Sequence, residues 1–202
     1  MKMSVRLGIA LLLVALSGCA SYDRRLTSSS TRYLTSDGQV ETKPSNVGIA
    51  DTVSYWDGDG VAGSPSITID LGEQKAFFYK GGRLVGVSMI SSGREGYSTP
   101  SGNFKIVQKN KDHVSNLYGD YVDSGGNVVV SNVGVKRDPK PAGASFRGAP
   151  MPYFMRIHGG VGMHAGFLPG FPASHGCIRM PERMAEIFFA NVSQGTPVRV
   201  VN

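Results

Sequence analysis

Apolar and polar residues alternate along much of the chain from residue 66 onward. Ile67 and Ile69 are separated and flanked by polar residues, and a second apolar segment follows after a turn that contains a glycine. A period of two is typical of β-strands with one buried face. The pattern predicts six strands before residue 160, at residues 66–70, 74–79, 84–90, 103–107, 128–130 and 153–157.

A helical pattern follows close to the C-terminus. Pro181 suits the first turn of a helix, and Glu182 suits its positive N-terminal end. An apolar stripe at helical spacing continues from there at Met184, Ile187 and Phe188. Residues 196–201 then alternate again. We therefore predict one mostly β domain with a single C-terminal helix before the last strand.

The first residues have the pattern of an export signal. Two basic residues give a charged start, and residues 7–16 form an apolar core that is too short to span a bilayer. Residues 16–19, Leu-Ser-Gly-Cys, resemble the bacterial lipoprotein processing box, in which the cysteine is acylated and becomes the first residue. The alternative is an ordinary secretory signal. We expect a signal peptide at residues 1–18 and lipid on Cys19.

The expected location is the cell envelope, with the lipid bilayer as a partner through acylated Cys19. By resemblance to lipoprotein sorting, Ala20 after the cysteine indicates the periplasmic face of the outer membrane. The formal net charge of the chain is +6, a mild excess that fits attraction to an anionic polymer or a membrane surface. The chain contains no basic run with interleaved aromatic residues, so we expect no nucleic acid partner.

Residues 19–62 have the composition of a lipidated N-terminus and flexible tether. Serine clusters and Asp-Gly pairs occur there without a sustained apolar period, and a flexible chain of this length spans roughly 35 Å. For Tyr55 and Trp56 the alternative is packing on the edge of the folded domain. That domain is predicted at residues 63–202, with a long loop at residues 138–152 that caps the site.

The chain has two cysteines, Cys19 and Cys177. If Cys19 carries lipid, Cys177 has no disulfide partner, and a lone exported thiol favours a reactive role. Cys177 lies in residues 174–179, Ser-His-Gly-Cys-Ile-Arg, where small neighbours allow a carbonyl to approach the sulfur. A nearby helix start and an imidazolium would favour the thiolate. The alternative is a buried, inert cysteine.

Three histidines compete as the base that such a thiol needs, namely His158, His164 and His175. Residues two apart in an extended segment point to the same side, which would place His175 beside Cys177. His164 has to be brought in by the intervening loop. The residues alone leave the three unranked. The fourth histidine, His113, lies in a polar run and is expected to be solvated.

A metal site is the competing interpretation of the same side chains. His158, His164, His175 and Cys177 supply enough ligands for zinc, but their spacing matches no compact zinc motif, so we expect no metal and no cofactor. Arg179 has two open roles. Because arginine binds carboxylates in a bidentate way, it either holds a substrate carboxylate or anchors the loop.

Residues 174–179, preceded by Gly-Met-His-Ala-Gly at residues 162–166, resemble the signature of L,D-transpeptidase catalytic domains of the YkuD type. Residues 99–104 are similar to the family motif that leads into a strand, and residues 195–198 are similar to its closing strand. The resemblance covers about residues 66–201. It implies a β-sandwich-like fold.

The resemblance also implies roles for individual residues. Cys177 is the nucleophile and His164 the general base. The other positions of the signature, which are expected to support the site, its oxyanion and the substrate, are Ser174, His175, Gly176 and Arg179. His158 falls outside the matched pattern.

The implied activity is transpeptidation of peptidoglycan. The thiol attacks the carbonyl of the third residue of a stem tetrapeptide, D-alanine leaves, and an acceptor amine resolves the thioester into a cross-link or a wall-attached protein. One alternative is an L,D-carboxypeptidase, in which water is the acceptor. The other is a non-catalytic lipoprotein that binds peptidoglycan, although binding alone requires no thiol.

Overall fold

The computed structural model describes residues 51–202. These residues belong to one compact unit. The predicted signal peptide at residues 1–18, the expected lipidation site Cys19 and most of the predicted tether lie outside the described residues. They stay predictions.

Two β-sheets make up most of the domain, which confirms the mostly β class that the alternation of apolar and polar residues predicts. The first sheet contains β1 (Tyr55–Trp56), β2 (Pro65–Asp70), β3 (Lys75–Lys80), β4 (Arg83–Met89), β5 (Gly102–Lys105) and β11 (Pro197–Val201). Their order across the sheet is β1-β4-β3-β2-β11-β5. Strand β11 is an inner strand of this sheet, because it pairs with β2 on one side and with β5 on the other. The first pairing is parallel and the second is antiparallel.

The second sheet carries the signature residues. It contains β6 (Gln108–Val122), β7 (Val128–Gly134), β8 (Ser145–His158), β9 (Val161–Ala165) and β10 (Ile178–Met180), in the order β10-β9-β8-β6-β7. The pairing of β10 with β9 is parallel, and the other pairs are antiparallel. Helix α1 (Glu182–Asn191) connects β10 to β11. The predicted helix before the last strand is therefore confirmed.

The main core lies between the two sheets and one face of α1. Each of these three elements contributes side chains that are less than 2% exposed, among them Ile67, Phe78, Met155, Met163, Ile178, Met184 and Phe188. Burial of this apolar surface is the main force that holds the sheets together. The mostly β, sandwich-like fold is confirmed. From residue 51 onward, no helix is long and apolar enough to cross a membrane.

The long loop predicted at residues 138–152 is wrong in its second half. Residues 145–152 belong to β8 and pair with β6. Pro150 and Pro152 do not break the strand, because β9 pairs with β8 only from Met155 onward and this part of β8 has a neighbour on one side only. The glycine- and proline-rich composition of residues 145–152, which is typical of a loop, is thus compatible with a strand that has a neighbour on one side only.

Tyr55 and Trp56 belong to the folded domain and not to the tether, which was the alternative that the sequence left open. Tyr55 and Trp56 pair with β4, and the indole ring packs edge-on against Phe78, with 5.1 Å between the ring centroids. It also lies 6.5 Å from the ring of Phe188. The folded domain therefore begins before residue 63, because a large aromatic side chain gains more from core contacts than from solvent.

Candidate active site

The parallel pairing of β9 and β10 positions the two residues expected to carry the chemistry. Met163 lies opposite Ile178, and His164 lies opposite Arg179. Met163 and Ile178 are fully buried in the core. Because side chains alternate across a strand, His164 and Arg179 lie on the other face of the sheet. Cys177 immediately precedes β10 and is therefore the diagonal neighbour of His164.

An apolar wall beside Cys177 comes from β8. Met151, Phe154 and Cys177 form a small buried cluster separate from the main core. Residues 151 and 154 would face opposite sides of a regular strand, but Tyr153 has a φ of 57° and interrupts the alternation. Gly162 leaves room for the ring of Phe154, since a Cβ atom at Gly162 would lie 2.6 Å from Cε2 of that ring.

A cleft of about 440 Å³ opens at Cys177. Its volume lies in the range of ordinary ligand-binding pockets. The side chains that line it include Cys177, His175, His113, Tyr118, Arg156 and Met151. They come from the signature loop and from the β6–β8 pair, so segments far apart in the sequence form its walls.

The Cys177 thiol is mostly buried, with 8% of the residue exposed. It donates to the Gly160 carbonyl oxygen, 3.6 Å from the sulfur. Burial raises the pKa of the thiol, and a hydrogen bond from the Gly162 N–H and the charges of Arg179 and Arg156 offset only part of this rise. The resting group is therefore a thiol. Burial thus opposes the thiolate that a nearby helix start and an imidazolium were expected to favour.

His164 is buried and uncharged as well. Burial lowers the pKa of its imidazole to about 4, although a hydrogen bond to the Ala165 carbonyl opposes this change. Nδ1 lies 2.8 Å from that carbonyl oxygen and carries the proton of the neutral ring, because a carbonyl can only accept. Nε2 keeps the lone pair. It is the atom able to take a proton from Cys177.

His175 has a different partner. Its Nε2 lies 2.9 Å from Nη2 of Arg94, and it must accept there because a guanidinium only donates. Burial, followed by the charge of Arg94, lowers the pKa of His175 to about 4. With this nitrogen engaged, His175 holds Arg94 in place. Of the two signature histidines, His164 is the one with a lone pair available to the thiol.

Two buried hydroxyl groups hold the loop in front of Cys177. Ser174 donates to the Cys177 carbonyl oxygen and accepts the N–H of Gly176 at 3.0 Å. Thr99 donates to the Gly176 carbonyl oxygen at 2.9 Å and accepts the N–H of Gly93 at 2.9 Å. Both polar groups of Gly176 are thus fixed by side chains. The motif at residues 99–104 has a role in the site that its sequence does not reveal.

Gly176 gives the loop its shape. Its φ is 105°, a value that side chains rarely allow. Backbone N–H groups near Gly176 and Cys177 are expected to hold the oxyanion, and of these two the Gly176 N–H already donates to Ser174. Among the hydrogen bonds of residues 51–202, none is donated by the Cys177 N–H. This leaves the Cys177 N–H as the backbone donor beside the sulfur.

Arg179 lies on the same face of the sheet as His164, where its methylene carbons pack against Gly166. Burial lowers the pKa of its guanidinium. Within residues 51–202 it forms no ion pair with a carboxylate. A half-buried cation without an anionic partner favours the first of its two open roles, contact with a substrate carboxylate.

Of the three candidate bases, His175 lines the cleft, whereas His164 and His158 are not among the lining residues. His158 is exposed at the end of β8, where its ring lies 5.4 Å from that of Phe104. His158 therefore lies apart from the other three side chains that were weighed as zinc ligands. In the described part of the chain, no group of three or more histidine, cysteine or carboxylate side chains lies close enough to hold one metal ion.

Three residues of the cleft carry no signal in the sequence that identifies them, namely His113, Tyr118 and Arg156. His113, expected to be solvated, stacks on Phe154 with 4.2 Å between the ring centroids. Burial, followed by the charge of Arg156, lowers the pKa of His113. These residues lie on β6 and β8. Their pairing, in which His113 lies opposite Met151, is a long-range contact that no local pattern reveals.

Solved L,D-transpeptidases share this architecture. An L,D-transpeptidase in complex with imipenem has a TM-score of 0.53 and 19% identity, with 68% of this chain and 59% of the other covered. A Mycobacterium smegmatis L,D-transpeptidase has a TM-score of 0.52 and 19% identity, with 69% of this chain and 59% of the other covered. An Enterococcus faecium L,D-transpeptidase with a cysteine-to-serine substitution has a TM-score of 0.50 and 27% identity, with 69% of this chain and 50% of the other covered. The chain thus matches between half and three fifths of the length of these proteins.

Residues 64–200 match the family model of the YkuD L,D-transpeptidase catalytic domain. The match covers more than half of the chain, which therefore belongs to this family. The resemblance of residues 162–166 and 174–179 to the family signature is confirmed at the level of the family. A comparison with curated protein sequences gave no match.

We expect iodoacetamide to react slowly with Cys177 at neutral pH and steadily faster as the pH rises. Only the thiolate is alkylated, and burial raises the pKa of this thiol, so little thiolate is present at pH 7. The rate, followed by mass spectrometry of the peptide that contains Cys177, should still rise above about pH 9, where free cysteine levels off. The urea-unfolded chain is the control. A plateau at or below pH 7 would reveal a resting thiolate.

Thr99→Val should loosen the loop without a large change of shape. The N–H of Gly93 and the carbonyl of Gly176 lose their partner, and a buried unsatisfied group costs about 1–3 kcal/mol. We expect a lower free energy of unfolding in urea and faster alkylation of Cys177.

Thr196→Val is the matched control for this change. Thr196 is equally buried, but its hydroxyl accepts the N–H of Ser193 at the far end of α1. It should lower stability and leave the alkylation rate of Cys177 unchanged. If both variants leave that rate unchanged, Thr99 does not hold the loop in the manner described.

Proposed function

We propose that this chain is a cysteine-dependent L,D-transpeptidase that acts on the tetrapeptide stems of peptidoglycan through a thioester on Cys177. One observation carries the proposal: Cys177 opens on the cleft and is the diagonal neighbour of His164, whose neutral ring has a free lone pair. Membership of the family supports the class of reaction.

The first half-reaction starts from the neutral pair of thiol and imidazole. As the sulfur attacks the carbonyl carbon of the third stem residue, a diamino acid, Nε2 of His164 takes the thiol proton. The oxyanion that forms accepts a hydrogen bond from the Cys177 N–H. When the intermediate collapses, the amide C–N bond breaks, and the imidazolium gives its proton to the amine of the leaving D-alanine.

The second half-reaction returns the site to its resting state. An acceptor amine attacks the thioester carbonyl and the C–S bond breaks. His164 passes the proton of the amine to the sulfur. The product is a cross-link when the acceptor is a second stem, and a wall-attached protein when the acceptor is a protein. With water as acceptor, the same thioester gives a tripeptide, which is the carboxypeptidase alternative.

Inhibitor complexes of solved relatives support the acyl-enzyme step. One similar structure is an L,D-transpeptidase in complex with imipenem, and another, at 26% identity, is a carbamoyl enzyme formed with avibactam. A carbamoyl enzyme requires a nucleophilic side chain that the inhibitor can reach. In this chain we assign that role to Cys177 and expect imipenem to acylate it.

Cys177→Ala should abolish turnover of a disaccharide-tetrapeptide without unfolding the domain, since only the sulfur is removed. We expect the parent chain to release D-alanine, to form cross-linked dimers and to gain the mass of one imipenem molecule at Cys177. Mass spectrometry checks all three. Thr196→Val, which leaves the site intact, is the control and should keep all three properties.

Each other result points to a different function. An active alanine variant would contradict the thioester mechanism. D-Alanine release with only tripeptide as product would identify a carboxypeptidase. A folded parent chain that neither reacts with the tetrapeptide nor gains imipenem would favour the non-catalytic, peptidoglycan-binding lipoprotein.

We also propose that the chain is anchored by lipid on Cys19 to the periplasmic face of the outer membrane, which would hold the domain near its polymeric substrate. The proposal rests on the processing box at residues 16–19 and on Ala20.

Cys19→Ser should move the expressed chain from the membrane fraction to the soluble fraction, because the attachment site of the lipid is lost. Immunoblots of separated inner-membrane, outer-membrane and soluble fractions report the change. Cys177→Ser removes the other cysteine and should stay with the outer membrane. A Cys19→Ser chain that remains in the membrane would contradict lipid anchoring at this residue.

A further inference from the structure

Two arginines share the ring of Tyr97, beside the signature loop. The Cζ atom of Arg94 lies 4.5 Å from the ring centroid, and that of Arg137 lies 4.7 Å from it. Each contact is a favourable cation–π interaction. The two Cζ atoms are therefore separated by no more than the sum of these distances, and a negative charge bound near them would offset the repulsion between the two cations.

Arg94 is also fixed relative to the cleft. Its Nη2 donates to Nε2 of His175. The ring of His175 stacks on Tyr118 at 4.4 Å and meets Tyr97 edge-on at 4.6 Å. His175 and Tyr118 line the cleft on which Cys177 opens. The guanidinium of Arg94 is therefore held by an aromatic cluster, two members of which line the same cleft as the proposed nucleophile.

The acidic residues of this region do not neutralise the arginines. The two ion pairs within residues 51–202 involve neither Arg94 nor Arg137. Asp138 is close enough to His175 to act on it, but its carboxylate accepts the N–H of Gly134 at 2.7 Å and pairs with no arginine. The positive charge beside the cleft is thus available to an anionic ligand.

We propose that Arg94 and Arg137 form the binding site for the α-carboxylate of the leaving residue of the donor stem. The proposal rests on the proposed function. Guanidinium groups bind a carboxylate through charge-assisted and often bidentate hydrogen bonds. His175 is the positioning residue that holds Arg94 for this contact.

The choice of this carboxylate follows from distance. In the donor peptide, the terminal carboxyl carbon follows the scissile carbonyl carbon by one residue, so the two are less than about 4 Å apart. His175 precedes Cys177 by two residues, and their Cα atoms are therefore at most about 7.6 Å apart. Arg94 is therefore held by a side chain of the loop that carries the nucleophile, at the cleft that His175 and Cys177 both line. Carboxylates further along the stem are not tied to this position.

The test measures binding of two ligands by titration calorimetry, in a full-length chain with Cys177→Ala so that no turnover occurs. The first ligand is the disaccharide-tetrapeptide with a free terminal carboxylate, and the second is the same molecule with a terminal carboxamide. We expect the free acid to bind roughly 10- to 100-fold more tightly, as one charge-assisted interaction implies.

Arg94→Gln and Arg137→Gln should each lose most of this preference by weakening the acid alone. Arg137→Gln leaves the contact between Arg94 and His175 untouched, so its effect cannot come from a displaced His175. Arg83→Gln is the matched control, because Arg83 is an exposed arginine at the first position of β4. It should keep the preference of the parent chain.

Several results would overturn the proposal. Equal weakening of acid and carboxamide by the arginine variants would indicate a structural role. A preference that follows a different carboxylate, tested with the carboxamide of the diamino acid, would refute the assignment to the leaving residue. If the parent chain turns over the tetrapeptide but the Cys177→Ala chain binds the acid and the carboxamide equally, the proposed function stands and only the carboxylate site is refuted. Absence of both turnover and binding would remove the proposed function and this inference together.

Discussion

The parallel pairing of β10 with β9 is the constraint on which the site depends. It places Arg179 opposite His164 and sends Met163 and Ile178 into the core, so the polar partners must lie on the other face. A slip of one residue in this register would move every one of these side chains to the opposite face. The two parts of the signature thus lie on paired strands, and the register of these strands makes His164 the diagonal neighbour of Cys177.

Burial then determines the charge of the groups that the register brings together. It raises the pKa of Cys177 and lowers the pKa of His164 to about 4, so both are neutral at neutral pH. An ion pair at rest would require the opposite shifts. A neutral pair fits a site in which charge develops only as a substrate carbonyl is attacked, because the proton can move directly from sulfur to imidazole.

Local patterns in the sequence predict the fold well and the site only in part. Alternation and helix signals are short-range, and they predict the first sheet and α1. The signature identifies Cys177 and His164 together because β9 and β10 are short and near in sequence. His113 escapes prediction because its wall of the cleft exists only when β6 pairs with β8. In that pair, the polar run around His113 and the proline-rich segment at residues 145–152 carry no sustained apolar period.

His175 connects Arg94 to the cleft on which Cys177 opens. Although the sequence leaves it as a competing base, its acceptor nitrogen is engaged by Arg94, and its ring lines the same cleft as Cys177. A histidine next to a nucleophilic cysteine is thus used here as a hydrogen-bond acceptor for a cation. The electrostatics require this use, since the charge of Arg94 would repel a protonated His175. Burial and the neighbouring arginine therefore keep His175 neutral, and a neutral His175 keeps the arginine in place.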